Sequence, residues 1–125
     1  VRSVMIYGIG TDLIEIRRVL KACESESFIT RVYTDRERRE ASEHRRRLSG
    51  DFAVKEAVAK ALGTGFVSFR PIDIEVLRDD KGKPFVTLYD GAKRLSDELG
   101  ITSIHVSISD TDELVVAYAI AECDG

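Results

Sequence analysis

The residues from Phe52 to Leu62 carry the most regular helical pattern in the chain. The apolar side chains that recur there with the period of an α-helix are Ala53, Val54, Ala57, Val58, Ala61 and Leu62. A stripe this broad requires burial, so the fold has to pack this helix against its core. We expect Ser49 or Asp51 to cap the start of the helix, and the Gly-Thr-Gly segment 63–65 to end it.

The composition indicates one folded domain. A length of 125 residues and a hydrophobic fraction of 43% fit a single domain over 1–125 with a real core. A net charge of −3 with only 9 Gly and 2 Pro argues against disorder as the main state. The longest apolar run, Leu114 to Ala121, is far shorter than the ~20 residues that a membrane-spanning helix needs. We therefore expect no membrane association.

The cysteines and the charges narrow the function classes. Cys23 and Cys123 have no CxxC spacing, and the first residues do not resemble a secretory signal, so we expect a reduced, cytoplasmic protein. Residues 1–60 carry 13 basic and 10 acidic side chains, which favours contact with acidic partners on that part of the surface. A pI near 5.4 argues against nucleic acid as the partner. A nucleic-acid binder using the arginines between 31 and 47 is the least supported alternative.

The first half of the chain predicts one strand and three helices. Met5–Gly10 has the pattern of a short buried strand. Asp12 could cap a helix that starts at Leu13, with Leu13, Ile16 and Leu20 facing inward. A second, densely charged helix is expected to begin at Thr34 or Asp35 and to run to about His44. The helix over 52–62 is the third.

The second half predicts two strand pairs around one helix. The segments 72–76 and 84–88 alternate as strands do, and the turn-like segment 79–83 joins them into a hairpin. A helix is expected from about Gly91 to Leu99, followed by strands over 104–109 and 114–121. The complete order β, α, α, α, β, β, α, β, β predicts an α+β fold with an antiparallel sheet packed against helices.

The first candidate site is the segment from Gly8 to Asp12. Two glycines at a strand end let the backbone run close to a ligand or another chain, and Asp12 presents a carboxylate beside them. The segment is not a dinucleotide-binding fingerprint, because Leu13 stands at the third glycine position. The alternative is a tight strand-to-helix turn in which Asp12 is only a helix cap.

The second candidate site is the pair Glu56 and Lys60. The two are four residues apart on one helix, so they face the same way, at the rim of the apolar stripe. A carboxylate there could hold Mg²⁺, and an ammonium group could neutralise a phosphate oxygen. The alternative is an ordinary surface ion pair worth roughly a few tenths of a kcal/mol.

Five segments in register resemble the holo-acyl-carrier-protein synthase family of 4'-phosphopantetheinyl transferases. They are residues 6–12, 52–57 and 60–65, then Gly82-Lys83-Pro84, then 106–109. The resemblance implies a single 4'-phosphopantetheinyl transferase domain. It also implies a reaction: Mg²⁺-dependent transfer of 4'-phosphopantetheine from coenzyme A to a serine of acyl carrier protein, with release of adenosine 3',5'-bisphosphate, in support of fatty acid biosynthesis.

The resemblance also implies roles for individual residues. Asp12 and Glu56 would hold Mg²⁺ with the pyrophosphate of coenzyme A, and Lys60 would neutralise charge on the phosphate oxygens. Glu56 is the candidate for taking the serine proton, directly or through a bound water. The residues expected along the coenzyme A cleft are Arg45, Arg46, Lys60, Gly63, Gly65, Lys81, Gly82, Lys83, Pro84, Asp110 and Thr111.

Two partners are implied beyond the small-molecule substrate. Arg17, Arg18 and Lys21 match the family's docking surface for the acidic carrier protein, and three clustered cations independently favour electrostatic steering. The alternative for them is a solvated helix face. A homotrimer with the cleft between protomers is also implied, and the segment 115–121 has the composition of a strand buried on both faces.

Two positions depart from the family pattern. Asp110 stands where a histidine is typical, and Asp51 stands where an arginine usually precedes Phe52. Both changes remove positive charge that would favour phosphate binding, unless another cation compensates. For Asp110 a metal or a lysine would have to compensate, and for Asp51 the candidates that could replace the missing arginine are Arg45, Arg46 and Arg47. The departures leave open a weakly active or inactive member that only binds coenzyme A or carrier protein.

Overall fold

The computed structural model describes residues 3–125, so residues 1 and 2 of the predicted domain lie outside the described range. No helix in that range is long and apolar enough to cross a membrane. The regular elements, in chain order, are β1 (Val4–Glu15), α1 (Ile16–Ala22), α2 (Glu26–Val32), α3 (Asp35–Glu40), α4 (Arg47–Leu62), β2 (Ile74–Arg78), β3 (Pro84–Leu88), α5 (Asp90–Leu99), β4 (Ile101–Asp110) and β5 (Leu114–Asp124).

The strands form an antiparallel sheet and a separate hairpin. The sheet has the order β1-β5-β4, and every neighbouring pair in it is antiparallel. The hairpin joins β2 to β3 through the turn predicted at 79–83. Helix α4 lies across the sheet and contacts β1, β5 and β4. The predicted α+β fold, an antiparallel sheet packed against helices, is confirmed.

Helix α4 is the centre of the core. Ala53, Val54 and Ala57 are all fully buried, and so is the charged side chain of Lys55. The helix is enclosed nearly all round, which a one-sided apolar stripe did not predict. The helix begins at Arg47, so the predicted caps at Ser49 and Asp51 are wrong.

The predicted end of α4 is correct. Gly63 closes the helix in the left-handed region, at a φ of 89°, and its N–H donates to the carbonyl of Lys60. Glycine adopts this conformation without the steric penalty of a Cβ. The last turn of α4, which carries Lys60, is therefore fixed at a defined point against the sheet.

A buried network of hydrogen bonds around Lys55 fixes the rotation of α4 about its own axis. Lys55 Nζ lies 2.9 Å from a carboxylate oxygen of Glu37, and it also donates to the carbonyls of Pro71 and Ile74. Glu37 accepts a hydrogen bond from the Val76 N–H at 2.8 Å. Burial raises the pKa of Glu37 and lowers that of Lys55, and their mutual attraction opposes both shifts. Because both groups are satisfied only in this arrangement, Lys55 fixes the orientation of its neighbour on the helix, Glu56.

Strand β1 lies unusually close to α4. A Cβ on Gly8 would come within 2.2 Å of the Ala61 carbonyl oxygen, and one on Gly10 within 1.9 Å of the Ala57 carbonyl oxygen. No side chain fits in either place, so both glycines are required by contact with this chain's own helix rather than with a ligand. This contact brings Asp12, two residues after Gly10, beside α4.

The predicted helix start at Leu13 is wrong. Strand β1 continues through Asp12 to Glu15, and α1 begins only at Ile16. Asp12 is therefore a strand residue facing α4, and the helix-cap alternative does not hold. Leu13 points to the opposite side of the sheet, where 65% of it is exposed, although we expected it to face inward. Ile16 is buried as expected.

Two further predictions need correction. The helix expected from 34 to 44 ends at Glu40, and the seven-residue helix α2 before it was not predicted. Within one chain the last strand is buried on one face only. Val115, Ala117, Ala119 and Ala121 face α4, whereas Tyr118 is 56% and Ile120 38% exposed on the other side. The outer face of the sheet is thus apolar and open.

Replacing Gly10 with alanine tests the β1–α4 contact. The added Cβ cannot be accommodated beside a helix carbonyl, so Gly10→Ala should lower the free energy of unfolding by more than ~2 kcal/mol in denaturant titrations. Gly50→Ala is the matched control, because its Cβ would meet only side-chain atoms at 3.5 Å or more, and alanine is favoured in a helix. Equal stability of the two variants would contradict this account of the contact.

Candidate active site

Asp12, Glu56 and Lys60 meet where β1 crosses α4. Lys60 Nζ donates to the carbonyl oxygen of Thr11 at 2.9 Å and lies 3.4 Å from Asp12 Oδ1. Glu56 lies one helical turn before Lys60. Burial raises the pKa of Glu56, the nearby charge of Asp12 raises it further, and Lys60 partly opposes the rise. Two carboxylates 44 positions apart in sequence therefore lie within electrostatic reach of each other.

One oxygen of Asp12 suits a metal ion. Asp12 Oδ2 is buried and has no hydrogen-bond partner among the described residues. An unpartnered buried carboxylate oxygen is costly unless a cation is bound there. Residues 3–125 contain no group of three or more His, Cys, Asp or Glu placed to hold a metal. Two carboxylates alone fit Mg²⁺, which usually takes one or two from the protein and completes its shell with phosphate oxygens and waters.

The loop after α4 begins three residues beyond Lys60. Gly63 and Gly65 both have positive φ values, 89° and 60°, and a Cβ on either would meet nothing within 4 Å. They are therefore needed for the path of the backbone and not for close packing. The predicted cleft residues Gly63 and Gly65 thus lie at the same end of α4 as Lys60.

A cleft lies at the start of α4. Its volume is about 270 Å³, and it brings together four predicted cleft residues, Arg46, Gly82, Pro84 and Asp110. Arg78 also lines it, although the sequence analysis did not select this residue. Lys81 and Lys83 flank Gly82 in the β2–β3 turn, with exposed side chains and with N–H groups that donate to Asp79. Arg45 is exposed and does not line this cleft.

Arg46 holds the turn between β4 and β5. Its guanidinium donates to Asp110 Oδ2 at 3.1 Å and to the carbonyls of Thr111 at 2.7 Å and Asp112 at 3.0 Å. The charge of Asp110 is thereby paired with a cation at the rim of the cleft. The cation that compensates this departure is an arginine, Arg46, and not the metal or lysine that we expected.

Asp51 is compensated as well, but by an unexpected residue. Its side chain is only 1% exposed and is hydrogen-bonded to Arg78. Burial raises the pKa of Asp51 to about 7, and the arginine opposes this rise. In the sequence, Asp51 lies next to the apolar stripe of a helix that has to be buried, and a buried carboxylate needs a cation nearby. The sequence could not show which one, because Arg78 is 27 positions away, at the end of β2.

This cleft and the site formed by Asp12, Glu56 and Lys60 are separate within one chain. The cleft is lined by Ser49 and Gly50 at the start of α4, whereas Glu56 and Lys60 lie ~9 Å and ~15 Å farther along the helix axis. The cleft at its start contains neither Lys60 nor Gly63 nor Gly65. The residues predicted to line one coenzyme A cleft therefore fall into two groups, one at each end of the helix.

Comparisons with known proteins identify the family of the chain. The family model of the 4'-phosphopantetheinyl transferase superfamily matches residues 8–119. The curated holo-[acyl-carrier-protein] synthase of Lachnoclostridium phytofermentans is 53% identical over 118 residues, which are 94% of this chain and 97% of that protein. The chain belongs to the holo-acyl-carrier-protein synthase family. The resemblance deduced from the five motifs is confirmed.

Solved structures of synthases from this family share the fold. The holo-ACP synthase of Plasmodium yoelii has a TM-score of 0.86 and 34% identity, covering 99% of this chain and 100% of its own. The Bacillus anthracis synthase, solved in complex with coenzyme A (3',5'-ADP), has a TM-score of 0.78 and 36% identity over 95% of this chain and 98% of its own. The present chain therefore has the fold of a holo-acyl-carrier-protein synthase along nearly its whole length.

In this synthase, the predicted docking residues border an apolar groove. Arg17, Arg18 and Lys21 are exposed on α1, and none of them pairs with another described residue. Beside them lies a groove of about 480 Å³ between α1, α2 and the start of α4. Arg18 lies on its wall, and its apolar lining includes Leu13, Val19, Phe28, Phe52 and Leu114. Cations next to an open apolar groove suit an acidic, amphipathic partner better than they suit solvent alone.

Proposed function

We propose that this enzyme transfers 4'-phosphopantetheine from coenzyme A to a serine of apo-acyl carrier protein and releases adenosine 3',5'-bisphosphate, in support of fatty acid biosynthesis. Family membership and the names of the relatives support this reaction. The observation that carries the chemistry is the meeting of Asp12, Glu56 and Lys60 at the β1–α4 contact. Each of the three supplies a different function that phosphoryl transfer needs.

Asp12 and Glu56 would hold Mg²⁺ together with the pyrophosphate of coenzyme A. Bound there, the ion would neutralise the pyrophosphate and favour departure of the nucleotide. Lys60 Nζ lies 3.4 Å from Asp12 Oδ1, where an ammonium group can stabilise the charge that grows on the phosphate oxygens. Positioning and electrostatic stabilisation account for most of the rate in such transfers, so the rigid contact between β1 and α4 matters directly.

Glu56 is the proposed base. The serine oxygen forms a bond to the phosphorus that carries the pantetheine arm, the bond from that phosphorus to the bridging oxygen breaks, and the serine proton passes to Glu56. A carboxylate in water is a weak base, and its raised pKa makes Glu56 a better proton acceptor at neutral pH. Its ionised form is required, so the rate should fall as the pH drops through that raised pKa.

We also propose that the enzyme is a homotrimer with the active site between protomers. The outer face of the sheet exposes Ile6, Ile9 and Leu13 of β1 and Tyr118 and Ile120 of β5. Ile9 is paired with Ile120, so these side chains form one apolar surface. Assembly through this face could bring the cleft at the start of α4 in one protomer next to Glu56 and Lys60 of the neighbouring protomer. Sedimentation equilibrium should give three times 14.0 kDa, and a stable monomer would contradict the trimer.

We further propose a cytoplasmic location for the enzyme. Cys23 and Cys123 are both free thiols, and Cys23 is buried. Free cysteines are usual where glutathione and thioredoxin keep thiols reduced. Recovery of the protein outside the cytoplasm in cell fractionation would contradict this location.

The ion pairs of Asp51 and Asp110 favour an active transferase over the alternative of a weakly active or inactive family member that only binds coenzyme A or carrier protein. That alternative depended on the two aspartates, Asp51 and Asp110, that replace expected positive charge. Each aspartate is paired with an arginine, Arg78 and Arg46 respectively. Neither carboxylate is therefore an uncompensated anion facing the substrate. No other observation favours a protein that binds coenzyme A without transferring from it.

Substitution of the carboxylates tests the proposed chemistry. Glu56→Gln and Asp12→Asn keep the shape of each side chain but remove the charge that holds the ion and the proton. We expect the rate of transfer to fall at least about 1,000-fold in each variant. Asp12→Asn removes a metal ligand, and Glu56→Gln removes both a metal ligand and the base. Mass spectrometry of the carrier protein after incubation with coenzyme A and Mg²⁺ measures the added phosphopantetheine.

Glu98→Gln is the control for these variants, because Glu98 is exposed on α5, away from β1 and α4. It should transfer at the wild-type rate. Circular dichroism should show that all three variants are folded. Wild-type transfer by folded Glu56→Gln or Asp12→Asn would show that the carboxylates do not carry the reaction.

Charge reversal on α1 tests the docking surface. Arg18→Glu should raise the KM for carrier protein more than about tenfold, because like charges then meet at the rim of the groove, while the KM for coenzyme A stays within twofold. Added salt should raise the wild-type KM for carrier protein and reduce the difference between the two proteins. Arg94→Glu, on the exposed face of α5, is the matched control. If both reversals have the same effect, α1 is not the docking surface.

A further inference from the structure

Lys55 directly precedes Glu56 on α4, but its side chain is completely buried. Glu37 supplies the counter-charge, and its two carboxylate oxygens lie 2.9 Å and 3.0 Å from Lys55 Nζ. The ring of Tyr33 lies against the same ammonium group, 5.6 Å from its centroid. A buried ion pair stabilises a fold little, because an apolar pair of similar size avoids the cost of removing two charges from water. Stability alone therefore does not explain a lysine at this position.

The carbonyls of Pro71 and Ile74 accept the other hydrogen bonds of Lys55. Both residues lie where the chain returns to the core, since Pro71 begins a short 3-10 turn and Ile74 begins β2. The connection that leads to them, residues 63–70, starts at Gly63 where α4 ends. This connection is therefore fixed to α4 at both ends, by the cap of the helix and by Lys55.

Glu37 extends the same contact to α3 and β2. Its oxygens accept the N–H of Thr34, which caps α3, and the N–H of Val76, in the middle of β2, both at 2.8 Å. Every group around Lys55 is thus at hydrogen-bond distance only when α3, α4 and β2 keep their present positions. Apolar side chains in the same place would tolerate small shifts, because dispersion contacts have no fixed direction.

Small rotations of α4 matter because Glu56 is attached to the same turn of helix as Lys55. The glycine contact with β1 limits how closely strand and helix approach, whereas Lys55 limits how the helix is rotated. A rotation of about 10° would move an atom ~6 Å from the helix axis by roughly 1 Å. A displacement of about 1 Å at a reacting group can lower a rate about 100-fold.

We propose that Lys55 and Glu37 are positioning residues for the transfer reaction, because their ion pair fixes the rotation of α4 and thereby the distance between Glu56 and Asp12. This inference rests on the proposed function. Neither Lys55 nor Glu37 reaches the surface, so neither contacts a substrate. Their effect passes through the backbone of α4 to the two carboxylates that would share one divalent cation.

Removing both charges at once tests the proposal, since removing one would leave the other buried without a partner. The double variant Lys55→Met with Glu37→Gln keeps the size of both side chains. We expect it to fold, with a kcat at least about tenfold lower than that of the wild type. Its KM for carrier protein should stay within about twofold, because the docking surface on α1 is unchanged. Calorimetry in the presence of coenzyme A should show Mg²⁺ binding weakened at least about tenfold.

Two control variants on α5 separate positioning from loss of stability or of charge. Leu95→Ala removes apolar contact with the core and should lower stability without changing kcat or Mg²⁺ affinity. Lys93→Met with Asp97→Asn removes an ion pair that is exposed to solvent, and it should change none of these quantities. Thermal unfolding followed by circular dichroism gives the temperature at which all variants are folded and can be compared.

Glu37→Asp gives a second measurement that keeps both charges and moves only the counter-charge, by one methylene group. It should lower kcat and Mg²⁺ affinity in the same direction as the double variant and leave the KM for carrier protein unchanged. This variant decides the matter if the double variant does not fold. The proposal is overturned if the folded variants keep wild-type kcat and Mg²⁺ affinity, or lose no more of either than Leu95→Ala does.

The Mg²⁺ titrations also separate this proposal from the proposed function, because they need no turnover. If the wild type transfers no phosphopantetheine, the proposed function fails, and the comparison of Mg²⁺ affinities still decides whether the ion pair positions the carboxylates. If the wild type transfers phosphopantetheine and the folded Lys55 and Glu37 variants match it in both measurements, the positioning role fails and the proposed function stands.

Discussion

The close contact between β1 and α4 is the constraint on which the rest of the structure depends. Strand and helix can approach this closely only because Gly8 and Gly10 have no side chains where the carbonyls of Ala61 and Ala57 lie. The contact places Asp12 beside the helix turn that carries Glu56 and Lys60. Burial raises the pKa of Glu56, and the nearby charge of Asp12 raises it further. A cation bound between the two carboxylates would offset both effects.

The two halves of α4 have different electrostatic surroundings. In the C-terminal half, Glu56 lies near Asp12, and Asp12 Oδ2 has no hydrogen-bond partner among the described residues, which favours a divalent cation. At the N-terminal end, each carboxylate is paired with an arginine, which leaves guanidinium groups oriented toward a cleft. In the proposed trimer, the two parts would meet across the boundary between protomers.

Local patterns predicted much of the fold, but residues that depend on distant partners were misread. The helix over 52–62 and the turn at 79–83 follow from sequence periodicity and turn residues alone. Strand β1 continues past Asp12 because β5 pairs with it there, and no local signal contains that pairing. Helix α2 was missed because it buries little, although Ser25 caps it. Likewise, the resemblance selected Asp12 and Glu56 as a pair, but only the folded chain shows that Arg78 forms an ion pair with Asp51.

Magnesium binding to the enzyme saturated with coenzyme A tests the central claim most directly, since it needs no turnover. Calorimetric titration should show saturable Mg²⁺ binding stronger than that of coenzyme A alone. The affinity should decrease as the pH is lowered, because a proton on Glu56 competes with the ion. Removing the charge of Asp12 or of Glu56 should each weaken the binding at least about tenfold, the scale expected for loss of a ligating charge. Wild-type Mg²⁺ affinity in both variants would contradict the claim that these two side chains share one ion.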